Sequence, residues 1–165
     1  MTPVTRVSVI IPVRDDPAVV RTVRAVRAAC EGFAGDIQVI VIDHASADGF
    51  AATLAQLPEG TLVHRSDAPT VYAARNEAID RASGEVLFFT DADCEPCPGW
   101  IAEGLRHIDR GASVVQGFSG SVGATRGDAL IQWRYEAHLR PLAPGDSTEC
   151  DTRNLAVRRE VFDRV

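Results

Sequence analysis

The sequence alternates between nearly continuous apolar runs and amphipathic segments, and this alternation limits the folds that the chain can adopt. The runs at residues 7–13 and 37–42 are rich in β-branched side chains, which is typical of strands buried on both faces of a parallel sheet. Between them, four apolar residues from Val19 to Cys30 recur at helical spacing. We therefore predict an α/β domain with a Rossmann-like, mostly parallel sheet and helices on both faces.

The rest of the chain continues the alternation of strand and helix. We predict strands at residues 61–64, 86–90 and 113–118, and a weak apolar stretch follows Asn154. We predict helices that begin at Asp16-Pro17, at a cap formed by Ser46 or Asp48, at Thr70, at Pro98 and at Asp128, and a loop over residues 117–127. The 165 residues suit one domain, residues 1–165, and we expect this domain to continue beyond Val165 because the sequence stops inside a helical pattern.

The charge balance narrows the class of partner. The net charge is −6 and the sequence contains no lysine, which argues against a general nucleic-acid-binding protein. We find no apolar run of membrane-spanning length and no signal peptide, so we expect a cytoplasmic protein with reduced thiols. Cys94 and Cys97 form a single C-x-x-C, which is weak support for a zinc site.

Thr90-Asp91-Ala92-Asp93 closes the apolar run at residues 86–89 and is the strongest functional signal. Two carboxylates separated by one residue project to the same side of an extended backbone. Such a pair suits a hard divalent cation that shares its oxygen ligands with a phosphate. The alternative is a pair of ordinary turn aspartates. The position at the carboxyl end of a buried strand, where α/β sheets bind ligands, favours a metal that holds a phosphorylated substrate.

Two other predicted strands also end in polar residues. Val13-Arg14-Asp15 and Asp43 follow the first and second strands, and in a parallel sheet they reach the same edge as the Asp-Ala-Asp motif. Asp43 is a candidate to accept hydrogen bonds from a nucleotide base or ribose, or else to cap a turn. Arg75 is a candidate to bind a diphosphate, or else a surface arginine paired with Glu77 or Asp80.

Five segments resemble those of family 2 glycosyltransferases, in the same order along the chain. They are Val7-Ser8-Val9-Ile10-Ile11-Pro12-Val13, Ile40-Val41-Ile42-Asp43-His44-Ala45-Ser46-Ala47-Asp48, Ala74-Arg75-Asn76-Glu77-Ala78, Gly84-Glu85-Val86-Leu87-Phe88-Phe89-Thr90-Asp91-Ala92-Asp93 and Thr152-Arg153-Asn154-Leu155-Ala156-Val157-Arg158-Arg159-Glu160-Val161-Phe162. The resemblance implies a GT-A fold, a nucleotide-sugar donor and an acceptor that the sequence does not identify.

The resemblance also implies roles for individual residues. Asp43 would contact the nucleotide base, Asp91 would lie near the ribose, and Asp93, with Asp91, would bind Mg²⁺ or Mn²⁺ bridging the diphosphate. The remaining residues that we expect to border the donor are Pro12, Val13, Asp15, Arg75 and Ala92. Arg153 and Asn154 would belong to the acceptor region.

Two departures from the family pattern affect what we expect. His44 and Ala45 replace the usual Asp-Gly, which changes the expected base pocket. Inversion at the sugar needs a general base for the acceptor hydroxyl, and the family's acidic motif would lie beyond Val165. Glu149-Cys150-Asp151 is out of register for that role. We expect an inverting glycosyltransferase of hexosyltransferase type whose residues 1–165 bind donor but transfer sugar poorly, and we leave a homo-oligomer open.

Three other functions compete with this interpretation. A phosphatase of the haloacid dehalogenase type would have threonine at position 95, where the sequence has glutamate, and would need a lysine. A nucleotidyltransferase would need a glycine-rich, lysine-bearing loop after the first strand, and residues 12–15 do not form one. A non-catalytic sugar-nucleotide-binding module stays open as the main alternative.

Overall fold

The computed structural model describes residues 4–120 and 150–164, which form one six-stranded sheet. The strands are β1 (Arg6–Val13), β2 (Asp36–His44), β3 (Thr61–Ser66), β4 (Val86–Phe89), β5 (Val114–Gln116) and β6 (Leu155–Arg158). Their order in the sheet is β3-β2-β1-β4-β6-β5. The first four strands are parallel, whereas β6 is antiparallel to both β4 and β5. The predicted mostly parallel α/β sheet is confirmed.

Helices cover both faces of the sheet, as the sequence predicts. The α-helices are α1 (Val19–Ala29), α2 (Ala51–Leu54), α3 (Val71–Arg81) and α4 (Trp100–Asp109), and 3₁₀ helices span Asp48–Phe50 and Arg159–Arg164. Side chains of α1 and α4 pack on one face of the sheet, and α3 packs on the other. Val9 and Ile10 show the alternation, because successive strand residues enter the two opposite cores.

Helix starts differ in part from the predicted caps. Thr70 caps α3 as predicted, and its hydroxyl accepts a hydrogen bond from the N–H of Ala73 at 3.2 Å. The prediction of a helical cap at Ser46 or Asp48 is wrong: Ala47 precedes the 3₁₀ helix, and no side chain caps it. Asp16 accepts from the N–H of Ala18 in a local turn, so α1 begins three residues later, at Val19.

The weak apolar stretch after Asn154 is strand β6, and two consecutive arginines at its end attach it to both helical layers. Arg158 donates to the carbonyl oxygen of Ile108 at 2.7 Å, at the end of α4. Arg159 donates to the carbonyl oxygen of Ala82 at 2.6 Å, just after α3. Cations at helix carboxyl ends satisfy unpaired carbonyl groups and complement the helix dipole. β6 is therefore tied to the helices on opposite faces of the sheet.

Some predictions fall outside the described residues. The helix predicted from Asp128 lies there entirely, and the loop predicted over residues 117–127 lies there in part. Within residues 4–120 and 150–164, none of the helices has the length and apolar character needed to span a membrane.

Candidate functional site

The carboxyl ends of β1, β2 and β4 meet at one edge of the sheet, as predicted. β1 ends at Val13, which pairs with Asp43 near the end of β2, and β4 ends at Phe89. β6 runs antiparallel to β4 with Leu155 opposite Phe89, so the residues before Leu155 reach the same edge. The predicted donor and acceptor residues therefore share one edge. We call four segments the polar edge: residues 12–15, 43–47, 91–94 and 151–154.

The Asp91-Ala92-Asp93 motif lies in a tight turn. The N–H of Cys94 donates to the carbonyl oxygen of Asp91 at 3.1 Å, directly after β4. The prediction that both carboxylates project from extended backbone is therefore wrong, because the strand ends before the motif and its pleat no longer sets side-chain direction. The turn buries the Ala92 side chain, exposes Asp93 and leaves the Asp91 side chain 32% exposed.

Arg75 pairs with Asp91 rather than with a surface acid. Its Nη2 lies 2.7 Å from Oδ1 of Asp91, and the arginine side chain is only 12% exposed. Burial raises the pKa of Asp91 above its usual 3.8, Arg75 opposes that rise, and the charges of Asp93 and Asp151 add to it. The alternative, a surface arginine paired with Glu77 or Asp80, is wrong because Arg75 is largely buried and pairs with Asp91, and Glu77 instead contacts His64 at 3.3 Å. Among the described residues, Nε of Arg75 has no hydrogen-bond partner.

Asp43 closes the loop at the end of β2. It is 2% exposed, and its Oδ1 accepts a hydrogen bond from the N–H of Ser46 at 3.1 Å. Arg65 lies 3.6 Å from the other carboxylate oxygen and donates to the carbonyl oxygen of Ser46 at 2.9 Å. His44 is also buried, and Ala45 has a φ of 54° where the family pattern has glycine. Asp43 thus serves as a turn aspartate, one of its two predicted roles.

Asp15 joins the end of β1 to the same loop. Its N–H donates to the hydroxyl of Ser46 at 2.9 Å, and its Oδ1 accepts from the N–H of Ala47 at 2.8 Å. Pro12 and Val13 are buried beside it, so they contribute to the edge through their backbone atoms and their side-chain volume. The Ser46 hydroxyl thus binds Asp15 at the end of β1 instead of capping the following helix.

Asn154, predicted in the acceptor region, links three elements. Its Oδ1 accepts from the indole N–H of Trp100 at 2.8 Å, and its Nδ2 donates to the carbonyl oxygen of Phe118 at 2.6 Å. The N–H of Gly117 donates to its backbone oxygen at 2.9 Å, and a Cβ at position 117 would lie 2.4 Å from the Asn154 amide. In the described structure Asn154 therefore joins α4 to the segment after β5.

Arg153 forms an ion pair with Asp151, a residue that the sequence analysis did not place in the site. Nη2 and Nε of Arg153 lie 2.6 Å and 2.9 Å from Oδ2 of Asp151, and the Arg153 N–H donates to Oδ1 at 2.8 Å. The charge of Asp151 also acts on Asp91. No local sequence signal identifies this neighbour, because its position depends on the pairing of β6 with β4.

An apolar cavity lies next to this site on the α3 face of the sheet. Its volume is about 310 Å³, and Arg75, Asn76 and Thr152 are among its few polar lining residues. An apolar lining does not compensate a diphosphate charge for lost hydration. The polar edge, rather than this cavity, is therefore the candidate site for an anionic ligand.

The carboxylates of the polar edge fit a divalent cation that takes further ligands from a substrate. Within the described residues, no group of three or more His, Cys, Asp or Glu side chains could hold a metal ion. Asp91 and Asp93 supply carboxylate oxygens, which Mg²⁺ and Mn²⁺ accept, whereas Asp15, Asp43 and Asp151 bind backbone N–H groups. Mg²⁺ usually completes its shell with phosphate and water. Asp93 is exposed, and within the described residues its Oδ1 makes only a weak 3.7 Å contact with the Cys94 thiol, whereas one oxygen of Asp91 is bound to Arg75.

Comparisons with known proteins identify the family of this chain. A sequence model of glycosyl transferase family 2 matches residues 8–165. Glycosyltransferase AglE of Haloferax volcanii is 27% identical over 139 residues, which cover 78% of this chain and 44% of AglE. The chain therefore spans less than half the length of that relative.

Two solved structures are similar in fold. Mannosyltransferase PcManGT from Pyrobaculum calidifontis, in complex with GDP-Man and Mn²⁺, gives a TM-score of 0.70 at 21% identity over 96% of this chain and 46% of that one. Glucosyl-3-phosphoglycerate synthase from Mycobacterium tuberculosis, in complex with Mn²⁺, UDP-Glc and phosphoglyceric acid, gives a TM-score of 0.64 at 20% identity over 95% and 57%.

Proposed function

This chain belongs to glycosyl transferase family 2, and we propose that its polar edge binds the nucleotide-sugar donor of a metal-dependent, inverting glycosyltransferase. The observation that carries the proposal is the meeting of the Asp91-Ala92-Asp93 turn with Arg75 and the two loops after β1 and β2. Support also comes from similar folds that hold GDP-Man or UDP-Glc together with Mn²⁺.

The carboxylate turn is proposed to hold the diphosphate part of the donor. Asp93 and the free oxygen of Asp91 would hold Mg²⁺ or Mn²⁺, which when bound neutralises charge on the departing nucleoside diphosphate. Arg75 opposes the rise in the Asp91 pKa that burial causes, and its guanidinium places a positive charge beside the two carboxylates. Because the net charge of the chain is negative, the positive charge that a diphosphate needs would come locally, from the metal ion and Arg75.

The two cross-linked loops are proposed to receive the base and ribose. Asp43 holds the β2 loop in shape, and Asp15 fixes it against the end of β1. Pro12 and Val13 would form the buried wall behind the nucleotide. His44, where the family pattern has aspartate, would give the base an imidazole neighbour in place of a carboxylate.

The acceptor side and the catalytic base are the remaining parts of the proposal. Arg153 and Asn154 would lie beside the acceptor, with Asn154 holding the position of the surrounding segments. Asp151 already neutralises Arg153, so we do not assign it as the base. We place the base outside residues 1–165, and this chain alone would then bind donor with little transfer, since a general base contributes about 10²–10⁴-fold.

The decisive experiment is Mn²⁺-dependent binding of UDP and GDP, measured by calorimetry on this chain. Asp93→Ala should abolish the metal-dependent part of binding while the far-ultraviolet circular dichroism is unchanged. Asp109→Ala is the matched control, because it removes an exposed aspartate that is the last residue of α4. It should bind like wild type. Unchanged nucleotide affinity in Asp93→Ala would contradict the metal site.

A non-catalytic nucleotide-sugar-binding module is the main alternative. Binding alone does not separate the two functions, so sugar transfer and donor hydrolysis must be compared between this chain and a longer protein that contains it. Transfer that appears only with the longer protein supports the enzyme. Binding without transfer or hydrolysis in both supports the module, and robust transfer by residues 1–165 would show that the base is misplaced.

A further inference from the structure

Thr22 places a buried hydroxyl in the apolar face of α1. Its side chain is 0% exposed, and Val19, Val23 and Val26 on the same face belong to the core. A buried hydroxyl without a hydrogen bond is costly, and a helical threonine often bonds to a carbonyl of its own preceding turn. Here Oγ1 of Thr22 instead donates to the carbonyl oxygen of Ala92 at 2.6 Å.

Ala92 is the central residue of the carboxylate turn, and α1 contacts this region in three ways. The Ala92 side chain is buried in the same core as the apolar face of α1. Its carbonyl oxygen accepts the Thr22 hydrogen bond. The residue before Thr22, Arg21, forms an ion pair with Glu95 at 2.6 Å on the surface. The side chain and the carbonyl group of Ala92 are thus both held against α1.

We propose that Thr22 is a positioning residue for the carboxylates of the donor site, an inference that rests on the proposed function. Holding the Ala92 carbonyl fixes the backbone from which Asp91 and Asp93 project outward. Ligands that are oriented before a cation arrives bind it more tightly, and losing an orienting partner typically weakens metal affinity by roughly 10–100-fold. A valine at position 22 has nearly the same shape but cannot donate this hydrogen bond.

Three variants isolate the hydroxyl. Thr22→Val removes it, and Thr22→Ser restores it without the methyl group. Thr61→Val is the matched control, because the Thr61 hydroxyl donates to the carbonyl oxygen of Pro58 at 2.7 Å, at the start of β3 and away from the polar edge. Thr22→Ala removes the same hydroxyl with a different packing defect and replaces Thr22→Val if that variant does not fold.

Two measurements test the proposal, and one of them does not depend on ligand. The Cys94 N–H, which closes the carboxylate turn, should exchange with solvent several-fold faster in Thr22→Val, and at the wild-type rate in Thr22→Ser and Thr61→Val. Mn²⁺ affinity in the presence of UDP or GDP should fall by roughly tenfold in Thr22→Val and recover in Thr22→Ser.

The outcomes separate the positioning role from the proposed function. Wild-type Mn²⁺ affinity in Thr22→Val, or an equal loss in Thr61→Val, would overturn the role of Thr22 while leaving the donor site intact. Unchanged exchange at Cys94 would overturn it as well. If wild-type protein shows no Mn²⁺-dependent binding of UDP or GDP, the proposed function is refuted. The role of Thr22 in positioning the carboxylates is then refuted too, even if the Cys94 N–H exchanges faster in Thr22→Val.

Discussion

Replacing Arg75 with methionine should destabilise the protein through Asp91. Methionine keeps an apolar stem of similar length but removes the charge and the hydrogen bond between Nη2 and Oδ1, which measures 2.7 Å. The Asp91 carboxylate would then keep its partial burial without the opposing cation. The loss should therefore depend on whether Asp91 is ionised, which a packing defect alone would not.

The expected loss follows from the burial of the pair. Breaking a fully buried ion pair costs about 3–5 kcal/mol, whereas an exposed pair is worth about 0–1 kcal/mol. Arg75 is 12% exposed and Asp91 is 32% exposed, so solvent screens part of the attraction. A hydrogen bond to a charged group nets about 1.5–3 kcal/mol, and we expect about 2 kcal/mol here. For a domain of this size, this corresponds to a drop of about 4–8 °C in Tm.

The sign of the pH dependence is fixed by the direction of the pKa shift. Burial already holds the pKa of Asp91 above its usual 3.8, and removing Arg75 should raise it further. A raised carboxyl pKa means that the folded state binds the proton more tightly than the unfolded state. The stability from this group is thus present below 3.8 and lost as pH rises through the raised value. Arg75→Met should cost more at neutral pH than near pH 4.

The assay is urea unfolding followed by circular dichroism, on the double-mutant cycle of Arg75→Met and Asp91→Asn. The coupling free energy should be about 1–2 kcal/mol at neutral pH and smaller near pH 4. Arg6→Met is the control, because Arg6 contacts Asp36 at 3.0 Å with side chains 48% and 75% exposed, and its loss should cost at most about 1 kcal/mol. Additivity within about 0.5 kcal/mol at neutral pH would refute the reasoning.

Two further predictions concern the core. Gly104→Ala should lower the free energy of unfolding by about 1–3 kcal/mol, because the added Cβ would lie 2.6 Å from the Phe88 ring. Gly49→Ala is the control, since there is open space around Gly49, and it should be neutral or stabilising. Equal urea midpoints for the two variants would contradict this prediction. Burial raises the pKa of Cys30 to about 11, which disfavours the reactive thiolate. In folded protein an aromatic disulfide reagent should therefore label the exposed Cys97 and spare Cys30, with the labelled residue identified by mass spectrometry. Rapid labelling of Cys30 would count against its burial.

The two longest strands are predicted correctly because their own residues determine their environment. The runs that became β1 and β2 are long, β-branched and apolar throughout, which suits strands buried on both faces. Strand β6 has only four residues, Leu155–Arg158, and its extended form depends on β4 and β5, which lie far away in the sequence. Local pattern therefore detects the parallel strands and misses the antiparallel insertion.

The candidate site was predictable in position but not in geometry. The placement of Asp43, Asp91 and Asp93 at one edge follows from strand ends in a parallel sheet. The turn at Asp91 depends on a hydrogen bond to Cys94 and on the contact of Ala92 with Thr22, and neither is visible as a local motif. The one available signal was a polar residue within the apolar face of α1.

The insertion of β6 between β4 and β5 has a consequence for synthesis on the ribosome. In the described sheet β5 is paired with β6 alone, so it has no strand partner until residues 155–158 have been translated. The parallel strands β3, β2, β1 and β4 all lie within residues 6–89 and can pair earlier. Closing long loops costs entropy before distant contacts repay it. The nascent chain should therefore pair the four parallel strands β3, β2, β1 and β4 first, and β5 and β6 should join this sheet later, together.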